Sequence, residues 1–193
     1  SGNNERVLEK YLPDYYLTFG KYWGEQIQIP SAIVPVGNPT LNKSVAYLQE
    51  KSSPQANSIL VVSQGTVTPT MVRIAKYLSQ ELPGYSITFK LHPTEVPFTH
   101  RYEDLQKYHN VQIRTYDNIY ELIASNEIVV GYNSTTLFEA AAFNGKRVFI
   151  VNNDTIPDSL GYMFSDCEEL RDAILDGESG YPSAQPSYFW EPD

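Results

Sequence analysis

The sequence holds a single cysteine, Cys167, so no disulfide closes within the chain and no cysteine cluster can hold zinc. Basic residues are scarce: 14 Lys and Arg stand against 23 Asp and Glu, for a formal net charge of −9. No run of Lys and Arg appears, so the electrostatic footprint needed to bind a nucleic-acid backbone is missing. A single anionic nucleotide is not excluded, because helix N-termini and backbone amides hold phosphate without net positive charge. The longest apolar runs are too short to span a bilayer, and no basic amphipathic helix is visible. Ser1 to Arg6 lacks the apolar core of a signal peptide, and Ser1-Gly2 resembles a cleavage scar, as if the chain were cut from a longer protein. There is no Asp-x-Asp metal motif, and neither metal nor other cofactor is expected. These absences suggest a cytoplasmic chain that reaches the inner face of a membrane only through other parts of a parent protein. What is present suits a folded chain: 41% hydrophobic and 19% charged residues over 193 positions, enough for one well-cored domain but short for two.

Residues 1–57 read as a lead-in segment and linker. Tyr15 to Phe19 and Ala32 to Val36 are short β-prone runs flanking one or two helical turns at Tyr22 to Gln28. Gly37-Asn38-Pro39 ends the second run, Leu41 to Lys51 has helical spacing, and Ser52 to Asn57 is a loop. Residues 58–151 are more regular. Ser58 to Ser63 is a continuous apolar strand of the kind buried on both faces, followed by a helix from Pro69 to Leu82. Strands follow at Tyr85 to Leu91, Val111 to Arg114, Glu127 to Gly131 and Arg147 to Val151. Helices are expected at Tyr102 to Tyr108, Ile119 to Ala124 and Thr135 to Asn144, the last closed by Gly145. Residues 152–193 carry a helix at Cys167 to Leu175 and a proline-containing tail. The alternation predicts an α/β fold: a single Rossmann-like, three-layer α/β/α domain on a parallel sheet, over 1–193.

In such a fold ligands bind beyond the strand C-termini, and three unusual sequences fall there. The first is Ser63-Gln64-Gly65-Thr66, whose small residues let backbone amides approach a ligand or simply form a tight turn. The second is Lys90-Leu91-His92-Pro93-Thr94-Glu95, where Pro93 fixes the backbone just after His92. An imidazole held there can donate to a diphosphate oxygen and stabilise a phosphate leaving group, or it is a hydrogen-bonded surface histidine; His100 and His109 have no such setting. The third is Asn133-Ser134-Thr135-Thr136, opening a helix directly after a strand. Ser134 is a natural N-cap, and the hydroxyls together with free helix amides make a phosphate cradle. Glu139 follows among apolar neighbours, which makes an idle charge there less favourable; it is either a ribose acceptor or a solvated helix residue.

Together these motifs resemble the C-terminal domain of GT-B enzymes in the CDP-glycerol glycerophosphotransferase, capsule-polymer transferase and bacterial polysialyltransferase group. The resemblance rests on KLHPTE at Lys90 to Glu95, on the Ser/Thr stretch from Gly131 to Val151, and on Val36-Gly37-Asn38-Pro39. It implies one half of a GT-B fold, binding a CMP-, CDP- or UDP-linked sugar or polyol, in metal-independent, inverting transfer for bacterial surface polysaccharide. His92 would be catalytic and contact the donor phosphate with Pro93 and Glu95 beside it. Ser134 and Thr135 would bind the same phosphates, and Glu139 would sit by the ribose. In that group the general base comes from an N-terminal acceptor-binding domain, which is missing from these residues, so the chain alone would be inactive. A nucleotide-sugar epimerase of the same fold, or a non-catalytic glycan- or nucleotide-binding module, are the rival readings.

Overall fold

The computed structural model describes residues 11–192; the Ser1-Gly2 scar lies outside them. In chain order the elements are β1 (Tyr15–Thr18), α1 (Lys21–Glu25), β2 (Ala32–Pro35), α2 (Pro39–Lys51), β3 (Gln55–Val62), α3 (Thr68–Glu81) and β4 (Ser86–Lys90). A 3-10 segment (Pro93–Lys107) leads to β5 (Val111–Arg114), α4 (Ile119–Ser125), β6 (Asn126–Gly131), α5 (Thr135–Ala140) and β7 (Arg147–Val151). A short 3-10 turn (Asp158–Leu160), β8 (Tyr162–Phe164), α6 (Cys167–Leu175) and α7 (Pro186–Phe189) complete the chain.

These elements group into two compact units, residues 44–184 and residues 11–43 with 185–192. The smaller one is built by a long-range pairing that periodicity does not reveal. In the smaller unit β1 and β2 form a parallel pair, and the tail folds back on them. Trp23 Nε1 donates to the Phe189 carbonyl at 2.8 Å, the Glu191 amide donates to the Phe19 carbonyl at 2.7 Å, and Phe19, Trp23 and Trp190 stack at 5.4–6.3 Å. Gly37 lies in the left-handed region at φ 72°, and a Cβ there would fall 2.2 Å from the Glu191 carbonyl oxygen.

The larger unit carries a six-stranded sheet in the order β5-β4-β3-β6-β7-β8. Every pairing in it is parallel. It is the expected Rossmann-like α/β layer. Side chains alternate across a strand, so both faces can be followed along β3. Ile59 and Val61 pack with Met71, Ile74 and Leu78 of α3 and with Leu170 and Ile174 of α6. The alternate residues Leu60, Val129, Val148 and Ile150 are also fully buried, so the opposite face is covered too. Burial on both faces is why these strands read as unbroken apolar runs. At the start of β7, buried Arg147 donates to the carbonyls of Ala173, Ile174 and Ser179 at 2.7–3.0 Å, capping the C-terminal end of α6.

Strand positions follow the sequence expectations closely, except that β3 begins at Gln55, inside the Ser52 to Asn57 stretch expected as a loop; other elements differ as well. The three-residue β8 was not expected; it is too short for a period-2 pattern. The helix expected at Tyr102 to Tyr108 belongs to a longer 3-10 segment that begins at Pro93 and breaks its helical backbone at Phe98. Finally, α5 stops at Ala140 and tightens: Ala142 and Phe143 bond three residues back, to the Glu139 and Ala140 carbonyls, before Gly145 at φ 73°. Among the described residues no helix is long and apolar enough to cross a membrane.

The chain runs outward from β3 through β4 and β5, then returns to the other side of β3 for β6, β7 and β8. The switch point, where such sheets open a crevice, therefore lies between β3 and β6. Gly131 ends β6 there, and a Cβ at that position would stand 2.7 Å from Val62 Cγ2 and 3.0 Å from Leu137 Cδ2. Gly131→Ala is expected to cost about 1–3 kcal/mol through overpacking, read from chemical denaturation; unchanged stability would show that β3, β6 and α5 are not packed this closely.

Candidate functional site

A cavity of about 360 Å³ opens at this switch point. Val62 and Ser63 reach it from the end of β3, Lys90 to Pro93 from the end of β4 and the turn after it, Asp117 from the loop after β5, Ile119 from the start of α4, and Ser134 to Thr136 from the cap and first turn of α5. Six of the residues singled out in the sequence thus meet around one space: Ser63, His92, Pro93, Ser134, Thr135 and Thr136.

His92 leaves β4 in extended backbone (φ −65°, ψ 147°), as the following proline requires. Its Nδ1 accepts from the Thr94 amide at 3.3 Å and lies 2.8 Å from Thr94 Oγ1. A ring nitrogen that accepts from an amide carries no proton, so the amide bond assigns the ring proton to Nε2, where it can serve as a donor. The His92 ring is thereby an N-cap as well as an exposed group.

Glu95 does not line the cavity. It is buried, and its carboxylate accepts four hydrogen bonds: from Ser63 Oγ at 3.0 Å, Tyr102 OH at 2.6 Å, Thr68 Oγ1, and the His92 amide at 2.9 Å. Burial by itself raises the carboxyl, but the bonds from Thr68, Tyr102, the His92 amide and Ser63 outweigh it and hold the group below the usual glutamate value. Glu95 therefore ties the end of β3 and the start of α3 to the His-Pro turn. It braces His92 from behind.

Ser134 is the N-cap of α5, accepting from the Thr136 amide at 3.2 Å. Helix α5 has only six residues, so its dipole is small, and the donors at its start are chiefly the local hydroxyls and first-turn amides. Glu139 is half-buried and accepts from Tyr120 OH at 3.2 Å. Burial raises its carboxyl, with the Tyr120 bond opposing, and burial together with Glu139 pushes the Tyr120 phenol to about 12. Of the other sequence candidates, Thr66 and Asn133 are exposed and Gln64 is half-buried, with a Gln64 Oε1 that has no hydrogen-bond partner. Gly65 packs at ordinary distance against Thr94 Oγ1, 3.7 Å from where a Cβ would stand. None of these four, nor Glu139, lines the cavity.

Sequence reasoning missed Val62, Lys90, Leu91, Asp117 and Ile119 as lining residues. Lys90 stood inside the quoted KLHPTE stretch, but a strand-ending lysine reads as a solvated charge. Instead it is only 9% exposed, and its Nζ donates to the carbonyls of Leu91 at 2.8 Å and Thr115 at 2.6 Å.

No family model and no curated protein sequence matches the chain. Among solved structures it resembles Methanocaldococcus jannaschii UDP-GlcNAc 2-epimerase in complex with UDP-GlcNAc and UDP, at TM-score 0.63 and 14% identity, over 95% of this chain and 60% of that one. The wall teichoic acid polymerase TagF aligns at TM-score 0.58 and 15% identity, over 91% of this chain and 52% of that one. The C-terminal domain of the group 1 glycosyl transferase LpcC of Francisella tularensis aligns at TM-score 0.52 and 17% identity, over 75% and 89%. The chain thus spans 60% of the epimerase and 52% of the polymerase. At these identities the likeness establishes the fold alone, a Rossmann-like half of the GT-B type.

The Glu95 brace has a signature in acid. A carboxylate held below its unfolded value stabilises the fold above that value, and the contribution is lost as pH falls through the lower folded one. Glu95→Gln replaces an acceptor with an amide facing four donors and is expected to cost on the order of 3 kcal/mol at pH 7. The gap between the two proteins should narrow below the ordinary value of 4.5, measured by calorimetry across pH; a gap that is absent at pH 7, or that widens in acid, would remove the brace.

Proposed function

We propose that this chain is the donor-binding half of a glycosyltransferase or glycerophosphotransferase acting in bacterial surface-polysaccharide synthesis, in the cytoplasm. The observation that carries this reading is the cavity at the switch point, where an imidazole from β4 and three hydroxyl side chains from the turn after β6 converge. Hydrogen-bond donors clustered in a crevice beyond parallel strands suit the phosphates of a CMP-, CDP- or UDP-linked sugar or polyol.

In glycosyl transfer an acceptor oxygen forms the new bond to the anomeric carbon as its bond to the donor phosphate breaks, and the nucleotide leaves with both electrons. In glycerophosphate transfer the oxygen attacks phosphorus, and the bond between the two donor phosphates breaks. Either way negative charge grows on the departing phosphate. His92, with its Nε2 proton held outward by the Thr94 amide at Nδ1, donates to that oxygen, and the Ser134 and Thr135 amides with the hydroxyls of Ser134 to Thr136 share the charge. These donors can offset the leaving-group charge without a metal, in keeping with the metal-independent, inverting transfer proposed for the chain. The acceptor and the base that deprotonates it belong to a further domain, so the residues present bind the donor and do not complete the reaction.

Calorimetric titration with CMP, CDP, UDP and GDP identifies the preferred nucleotide. His92→Ala and Ser134→Ala are then each expected to weaken it about tenfold or more, one hydrogen bond to a charged phosphate, while His100→Ala changes little. Melting is measured alongside, because losing the Ser134 cap itself costs about 1 kcal/mol. If both substitutions weaken the uncharged nucleoside equally, the phosphate assignment is wrong.

A further inference from the structure

One cation in the cavity is not accounted for by hydrogen bonds to hydroxyls and amides. Lys90 is more than nine-tenths buried, yet no carboxylate among the described residues lies within ion-pair distance of it. The single carboxylate lining the same cavity, Asp117, pairs with Arg114 at 3.6 Å. Two N–H groups of the ammonium are taken by the neutral carbonyls of Leu91 and Thr115; the third is uncommitted. A lysine in that position is disfavoured unless something compensates its charge.

Lys146 is a second buried lysine held by carbonyls, but it lies outside this cavity. It is 3% exposed and likewise makes no carboxylate contact, and it donates to the carbonyls of Ala124 at 2.9 Å and Asn126 at 2.5 Å. Those carbonyls lie at the C-terminal end of the seven-residue α4, so Lys146 serves to cap a helix end. Leu91 and Thr115 instead follow the ends of β4 and β5, and strands offer only small net dipoles. Asp117 acts on Lys90 only from beyond ion-pair distance and is shared with Arg114, so a ligand in the cavity meets a buried ammonium with one N–H uncommitted.

We infer that Lys90 is the counter-ion of the ligand's phosphate, so that the recognition element is Lys-x-His-Pro and the site selects phosphate-bearing ligands over neutral ones. This deepens the donor-binding reading and rests on the same cavity. Burial lowers the Lys90 ammonium and Asp117 opposes that, while His92 and Arg114 are the other charged or titratable groups at this edge. A bound phosphate favours the charged form, so binding draws a proton onto Lys90 as the pH nears the lysine range.

The test titrates the chain with inorganic pyrophosphate, CDP and cytidine. Lys90→Met is expected to weaken pyrophosphate and CDP at least tenfold while leaving cytidine within twofold, and Lys90→Arg to retain most of the affinity. In buffers of differing ionisation enthalpy, CDP binding should take up protons increasingly from pH 7 to 9.5, and this uptake should vanish in Lys90→Arg. Unchanged pyrophosphate affinity in Lys90→Met, equal loss for cytidine, or no pyrophosphate binding by the unsubstituted chain overturns the inference. If Lys90→Met fails to fold, proton uptake that persists in Lys90→Arg overturns it instead. Pyrophosphate binding through Lys90 without binding of any nucleotide would keep the counter-ion and remove the donor reading; CDP binding indifferent to Lys90 would do the reverse.

Discussion

A buried carboxylate, that of Glu95, holds together the parts of the cavity that arise from different strands. Its four donors come from the end of β3, the start of α3, the His-Pro turn and the 3-10 segment. A buried charge is tolerated only when fully hydrogen-bonded, so these segments are constrained to meet at one point. The position of His92 follows from that meeting: its amide is held by Glu95 and its ring by Thr94. A histidine on an exposed turn would otherwise sample several rotamers, and the donor at Nε2 would have no fixed direction.

Around that brace, the parallel sheet does the coarse positioning. Strands β3, β4 and β6 are neighbours, so the loops that leave them are brought within reach of one ligand although they are separated by tens of residues in sequence. Charge is graded across the unit as well. Lys146 at the opposite edge of the sheet caps a helix end and lines a separate cavity of about 190 Å³; Lys90 faces the switch-point cavity with no helix end to balance it. Of these two buried lysines, only Lys90 lines the switch-point cavity.

Much of the larger unit was legible in sequence because its strands are buried on both faces. Ser58 to Ser63 and Arg147 to Val151 have no polar alternation to confuse with an amphipathic helix. The His-Pro and Ser-Thr-Thr stretches were recognisable because proline and small hydroxyl residues have strong local consequences. The role of Glu95 was not: it was taken for a ligand contact, whereas it meets Ser63, Thr68 and Tyr102, partners up to 32 positions away. Lys90 escaped for a related reason, since burial of a charged residue at a strand end depends on neighbouring strands. The fold-back of Tyr188, Phe189 and Trp190 onto Tyr22 and Trp23 is likewise a contact between chain ends that no local pattern announces.

The central claim is that the cavity between β3 and β6 receives the phosphates of a nucleotide donor. A crystal of this chain soaked with CDP tests it most directly. The account expects phosphate density within hydrogen-bond distance of His92 Nε2 and the Ser134 to Thr136 turn, with Lys90 Nζ beside it. Density confined to the opposite edge of the sheet, in the cavity beside Lys146, would contradict it.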